Sequence, residues 1–200
     1  MWNLTAYPAI TIGGVDERLS VNGAVTYVPD VGFGFHSVQV ESLTLAGAGA
    51  SNSTSKATNI PVGEAAILDT GTNILLAPTK VMTALKSAMC GDATLKQCDS
   101  LWSNTCVDLA DTDVDAYPSL SMNLDNGLSL DMSPRDYILQ GSPVATKPGQ
   151  WCLGIRDGGS AGGSGFIIGD TTMRNYYLVF DLGAKRIGWG KVNKDTCGSI

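Results

Sequence analysis

An unbroken apolar run that delivers a carboxylate into a threonine–glycine–threonine turn, Ala65-Ala66-Ile67-Leu68-Asp69-Thr70-Gly71-Thr72, constrains this chain more than any other stretch. Such a run predicts a short strand buried on both faces, with Asp69 at its end. A carboxylate there is kept from bulk water, and burying a charge is costly unless it is hydrogen-bonded or shares a proton. The neighbours supply the remedy: Thr70 and Thr72 offer hydroxyls, and Gly71 lets backbone amides approach closely. An Asp held in this way has the kind of tuned environment that proton transfer requires. The same residues also suit a plain turn closing a strand.

A second stretch separates the two readings. Phe166-Ile167-Ile168-Gly169-Asp170 is another apolar strand ending in a carboxylate, and Thr171-Thr172-Met173-Arg174-Asn175-Tyr176-Tyr177-Leu178-Val179-Phe180-Asp181 follows it. In this order the two stretches resemble the C-terminal lobe of the pepsin-like aspartic proteases. Ile12-Gly13-Gly14-Val15-Asp16 is similar to the turn that opens that lobe, Val25-Thr26-Tyr27-Val28-Pro29 to the strand after it, and Lys185-Arg186-Ile187-Gly188-Trp189-Gly190 to its closing strand.

The resemblance covers nearly the whole chain and implies a single lobe over residues 1–200. The implied fold is mostly β, with closed or orthogonal barrel-like sheets and one or two short helices. It also implies that Asp69 is one of two catalytic aspartates, that Thr70 is a buried hydroxyl tying two active-site loops together, and that Thr72 bonds the outer oxygen of Asp69. Gly169 and Asp170 are structural on this reading, Asp170 capping a short helix over 171–176 where the helix dipole favours negative charge. The bilobal family uses two Asp-Thr-Gly motifs, and this chain has one; Asp111-Thr112-Asp113 and Asp170-Thr171-Thr172 do not fit.

The expectation is therefore half of an endopeptidase. Water would be activated between Asp69 and a second aspartate, supplied by an N-terminal lobe or by a second copy of the chain. The substrate would be a peptide or protein, with no cofactor and no metal. The alternatives are an inactive lobe serving as a peptide-binding or interaction module and a self-paired homodimer. A lone lobe would expose a face normally shared between lobes, so dimerisation or aggregation is expected.

Composition agrees with a β-rich domain. Charged residues make up 16%, below the ~25% usual for soluble domains, and there are 24 glycines. The formal net charge of −6 and the lack of a basic run argue against nucleic-acid backbones as partners. No segment reaches the ~18 to 20 apolar residues of a membrane span. Asn3-Leu4-Thr5 and Asn52-Ser53-Thr54 are glycosylation sequons. With five cysteines they point to the secretory pathway, and to an extracellular or acidic vacuole- or lysosome-like compartment. The first residues carry neither a basic nor a long apolar region, so they do not read as a signal peptide, and the chain reads as a piece of a longer one.

The cysteines lack the paired Cys-x-x-Cys spacing of metal sites, and disulfides are the better reading. The resemblance implies a Cys106–Cys152 bridge; Cys90–Cys98 is then a small local loop and Cys197 is left over. His36 is the single histidine and reads as a surface or groove-edge residue, with no nucleophile beside it. Asn22-Gly23 is a strong hairpin cue, and Val38, Val40, Leu43 and Leu45 form the apolar set of a strand region. Residues 46–59 read as a loop. Pro78 opens a helix whose inward face is Val81, Met82, Leu85, Ala88 and Met89, ending at Cys90-Gly91. Residues 120–132 read as a hairpin turning at Asp125-Asn126-Gly127. The glycine-rich loop 158–165 has no phosphate-binding pattern.

Overall fold

A computed structural model describes residues 10–32, 34–46, 57–159 and 165–197. The sequons at Asn3 and Asn52 and the side chain of Cys197 lie outside the described part. Twelve strands occur among the described residues: β1 (Thr26–Pro29), β2 (Ser37–Leu45), β3 (Thr58–Leu68), β4 (Leu75–Pro78), β5 (Leu120–Leu124), β6 (Ser129–Met132), β7 (Ile138–Gln140), β8 (Trp151–Leu153), β9 (Ile155–Gly159), β10 (Ile167–Ile168), β11 (Tyr176–Asp181) and β12 (Arg186–Lys191). Against the one or two helices expected, six are found: α1 (Thr79–Cys90), α2 (Cys98–Trp102), α3 (Asp111–Asp115), α4 (Pro134–Tyr137), α5 (Asp170–Met173) and α6 (Lys194–Cys197). Only α1 exceeds a turn or so. The rest are local: in α4, Pro134 follows Ser133, whose N–H and hydroxyl both donate to Asp136 at 2.6 and 2.7 Å.

A seven-stranded sheet in the order β6-β5-β2-β3-β10-β4-β9 forms the body of the fold, beside a three-stranded sheet β1-β12-β11 and the small pair β7-β8. The expected hairpin over 120–132 is present as β5 and β6, with Asn126 and Gly127 at φ 60° and 71° in the turn. The apolar set of β2 changes phase between Val40 and Leu43 because the register shifts between Val40 and Ser42 against both neighbours. That extra residue turns alternation at 38 and 40 into alternation at 43 and 45, so all four side chains are buried. Pro61, which has no N–H to give, sits opposite Ser42 at this irregularity.

Three expectations are corrected. Asn22-Gly23 forms a tight turn, with Asn22 at φ 56°, but not a hairpin: β1 pairs with β12, and Ser20 bridges to Val192. Helix α1 turns Val81, Met82, Leu85 and Met89 into the core, while Ala88 is exposed and Ala84 packs there instead. Lastly, β3 is not buried on both faces near Asp69. Ala66 and Leu68 are buried, but Ala65 and Ile67 are half-exposed on the other side.

Two disulfides occur among the described residues: Cys106–Cys152, the bridge that the resemblance implies, and Cys90–Cys98, the expected local loop. Cys106–Cys152 joins the segment after α2 to β8.

Candidate active site

Asp69 follows β3 directly. Its backbone continues the ladder by one bond, the N–H donating to the carbonyl of Ile168 at 3.1 Å. Beyond it the chain must reach β4, but β10 lies between β3 and β4, parallel to the first and antiparallel to the second. The connecting segment 69–74 therefore passes over the end of β10. The crossing is close: a Cβ on Gly169 would lie 2.2 Å from the carbonyl oxygens of both Thr72 and Ile74, so only glycine fits. The crossing is also bonded. Asp170 N–H donates to Thr72 O at 2.8 Å, and the buried Thr171 hydroxyl donates to Asn73 O at 3.0 Å.

Within this loop the Asp69 carboxylate accepts from Gly71 N–H at 2.9 Å on one oxygen and from the Thr72 hydroxyl at 2.6 Å on the other. Both donors favour the charged form. The Thr72 hydroxyl, and after it the Gly71 N–H, hold the Asp69 carboxyl below the usual carboxylate range against a smaller opposing effect of burial. Asp69 itself is half-buried. The arrangement keeps one ionised, oriented carboxylate at neutral and mildly acidic pH.

Thr70 is exposed, and its hydroxyl makes no hydrogen bond among the described residues, so within this chain it is not the buried tie that was expected. Gly169 is structural for the steric reason given. Asp170 does not cap a helix over 171–176: α5 ends at Met173, Gly169 is its N-cap, and Asp170 is its exposed first residue. What Asp170 gives the loop is its backbone N–H.

Several residues beside Asp69 carry no sequence motif and emerge only from strand register. Ile67, Ile167 and Leu76 are level with one another across β3, β10 and β4, and all three are half-exposed on the face opposite the core. Arg156 of β9 is level with Leu76 and extends this row. On the other flank, Leu68 N–H donates to His36 O at 2.9 Å, so continuing the β2–β3 register brings Phe35, 65% exposed, level with Asp69. His36 is half-exposed, as a groove-edge residue would be. Its Nδ1 lies 2.7 Å from the Asp30 carboxylate and its ring 4.8 Å from that of Phe180. Partial burial works against ionisation of Asp30, but His36 and the N–H groups of Ser37 and Gly32 outweigh it and hold the carboxyl below its ordinary range.

A cavity of about 650 Å³ opens elsewhere, lined by Asp131, Asp136, Tyr176, Lys191, Lys194 and Asp195 among others, and shares no residue with the Asp69 loop. No group of three or more His, Cys, Asp or Glu suited to a metal ion occurs among the described residues.

The family model described as eukaryotic aspartyl protease matches residues 5–192. Pepsin A of Sus scrofa is 26% identical over 183 residues, covering 92% of this chain and 42% of its own length. Gastricsin of Mus musculus is 29% identical over 187 residues, covering 90% and 41%. Pregnancy-associated glycoprotein 2 of Bos taurus is 26% identical over 181 residues, covering 90% and 41%. The chain thus spans less than half the length of the curated relatives it matches.

Proposed function

The chain belongs to the eukaryotic aspartyl protease family, and from that premise we propose that residues 1–200 form one carboxylate-bearing lobe of an aspartic endopeptidase. Asp69 is one of the two carboxylates that activate water for attack on a peptide bond. The second comes from another lobe. Like charges ~3 Å apart cannot both ionise cheaply, so the pair shares one proton: the ionised member takes a proton from water while the protonated member polarises the substrate carbonyl.

The observation that carries this reading is the Asp69 carboxylate itself, bonded on one oxygen by Gly71 N–H and on the other by Thr72, in a loop locked over Gly169. Thr70 supports it from outside. With no partner among the described residues, its exposed hydroxyl is placed to bond the matching loop of a second lobe. The half-exposed row Ile67, Ile167 and Leu76, with Phe35 on the far flank, offers an apolar bed for an extended peptide. No cofactor takes part. Two disulfides support an oxidising, secretory setting, extracellular or in an acidic vacuole- or lysosome-like compartment.

The test is hydrolysis of a denatured protein at acidic pH by the chain, alone and with an added N-terminal lobe. Activity that appears only with the added lobe and disappears in Asp69→Ala supports the proposal. Activity of the chain alone that rises with the square of concentration would replace the second lobe by a second copy. Peptide binding with no hydrolysis in either case would leave a binding module.

A further inference from the structure

The four other arginines of the chain each lie within 4.0 Å of a carboxylate: Arg18 with Asp16, Arg135 with Asp115, Arg174 with Asp136 and Arg186 with Asp181. Arg156 has no such partner among the described residues, although its side chain is half-buried. Among the described residues its side chain donates to the amide oxygen of Asn104. The adjacent carboxylate does not serve it either: Asp157 is the next residue of β9 and so projects to the opposite face, where its Oδ1 accepts from the Thr79 hydroxyl and Gly159 N–H, both at 2.8 Å. Burial draws the guanidinium pKa below its ordinary value, the mark of a cation losing solvent without gaining an anion. Holding such a charge is costly unless something else completes it.

The position of Arg156 says what that is. It closes the row that begins at Ile67, two residues before Asp69, and runs through Ile167 and Leu76. From β3 to β9 is three strand steps, or about 14 Å at ~4.8 Å each, the length of about four residues of extended peptide. We infer that Arg156 is a specificity determinant, binding a carboxylate side chain of an extended peptide about four residues from the bond placed at Asp69. The apolar row accepts the residues between, and the guanidinium forms a charge-assisted bond at the end. This inference rests on the reading of the Asp69 face as a peptide-binding surface.

The experiment measures binding apart from hydrolysis. Labelled octapeptides, apolar at the centre and made uncleavable by a reduced central bond, carry Glu, Gln or Lys four residues away. Their anisotropy is followed on the full chain at pH 6 and low salt. The expected result is Glu about tenfold tighter than Gln, with Lys weakest. The preference should shrink with salt, vanish below the ordinary Glu pKa of ~4.3, persist in part in Arg156→Lys and be lost in Arg156→Gln. Equal affinity for Glu and Gln, or a preference that survives Arg156→Gln, overturns the inference. So does an Arg156→Gln variant that only melts earlier with the Glu/Gln ratio intact, since Arg156 then merely braces Asn104. If Arg156→Gln does not fold, Arg156→Lys and the pH dependence decide. Binding without discrimination overturns this inference alone; failure of every peptide to bind overturns the peptide-binding surface as well.

Discussion

The carbonyl oxygen of Thr72 accepts the N–H of Asp170 at 2.8 Å, joining two loops 98 positions apart in sequence where the chain crosses the end of β10. Gly169 stands at that crossing with no room for a methyl group. Gly169→Ala forces a backbone shift on rigid neighbours, and overpacking of that kind costs about 1–3 kcal/mol or more. An unfolding free energy from urea titration lowered by that amount is the expected outcome; an unchanged midpoint refutes the tight crossing.

Thr72→Val removes the donor that does most to hold the Asp69 carboxyl low, so the pKa should rise toward the ordinary value. The sign follows from linkage: a carboxyl depressed in the folded state stabilises the protein above its unfolded pKa, and that contribution is lost as pH falls through the folded pKa. The variant should therefore lose the Asp69 contribution at a higher pH than the parent. A carbon-detected titration of the Asp69 carboxyl measures the shift directly, and an acid limb of activity moved upward in pH is its kinetic counterpart.

The disulfides should differ in worth. Cys106–Cys152 spans 46 residues and Cys90–Cys98 spans 8. Chain-entropy estimates give about 4 kcal/mol for the longer loop and about 2.5 kcal/mol for the shorter. Denaturation of the Cys106→Ala/Cys152→Ala and Cys90→Ala/Cys98→Ala variants checks the order, and equal losses would count against an entropic origin.

The chain in isolation should self-associate. Phe35, Phe180 and Leu182 are 65%, 39% and 71% exposed, and β11 pairs on one edge only. Sedimentation across a concentration series should show a rising average mass, reduced by Leu182→Lys with Phe180→Lys. A single monomer species at high concentration contradicts this.

The parts of this architecture set by local chemistry were legible in sequence. The helix from Thr79, the turn at Asn126-Gly127, the turn around Asp69 and the apolar positions of β2 all follow from neighbours a few residues apart. The parts decided by distant pairing were not. Asn22-Gly23 has hairpin chemistry, yet β12 captures β1 and leaves it a turn. Asp170 has helix-cap chemistry, yet in a one-turn α5 it serves through its backbone, its N–H donating to Thr72 and its carbonyl accepting from Arg174. Ile167, Leu76 and Arg156 form one row with Ile67 only because β10 enters between β3 and β4, a register that no local pattern encodes.

That late insertion also orders events in time. The crossing of residues 69–74 cannot lock until residues 166–171 have left the ribosome, because its long-range bonds come from Asp170 and Thr171. Long-range closure of this kind is slow. A nascent chain would thus hold the Asp69 loop unlocked until that later segment emerges, a delay written into connectivity.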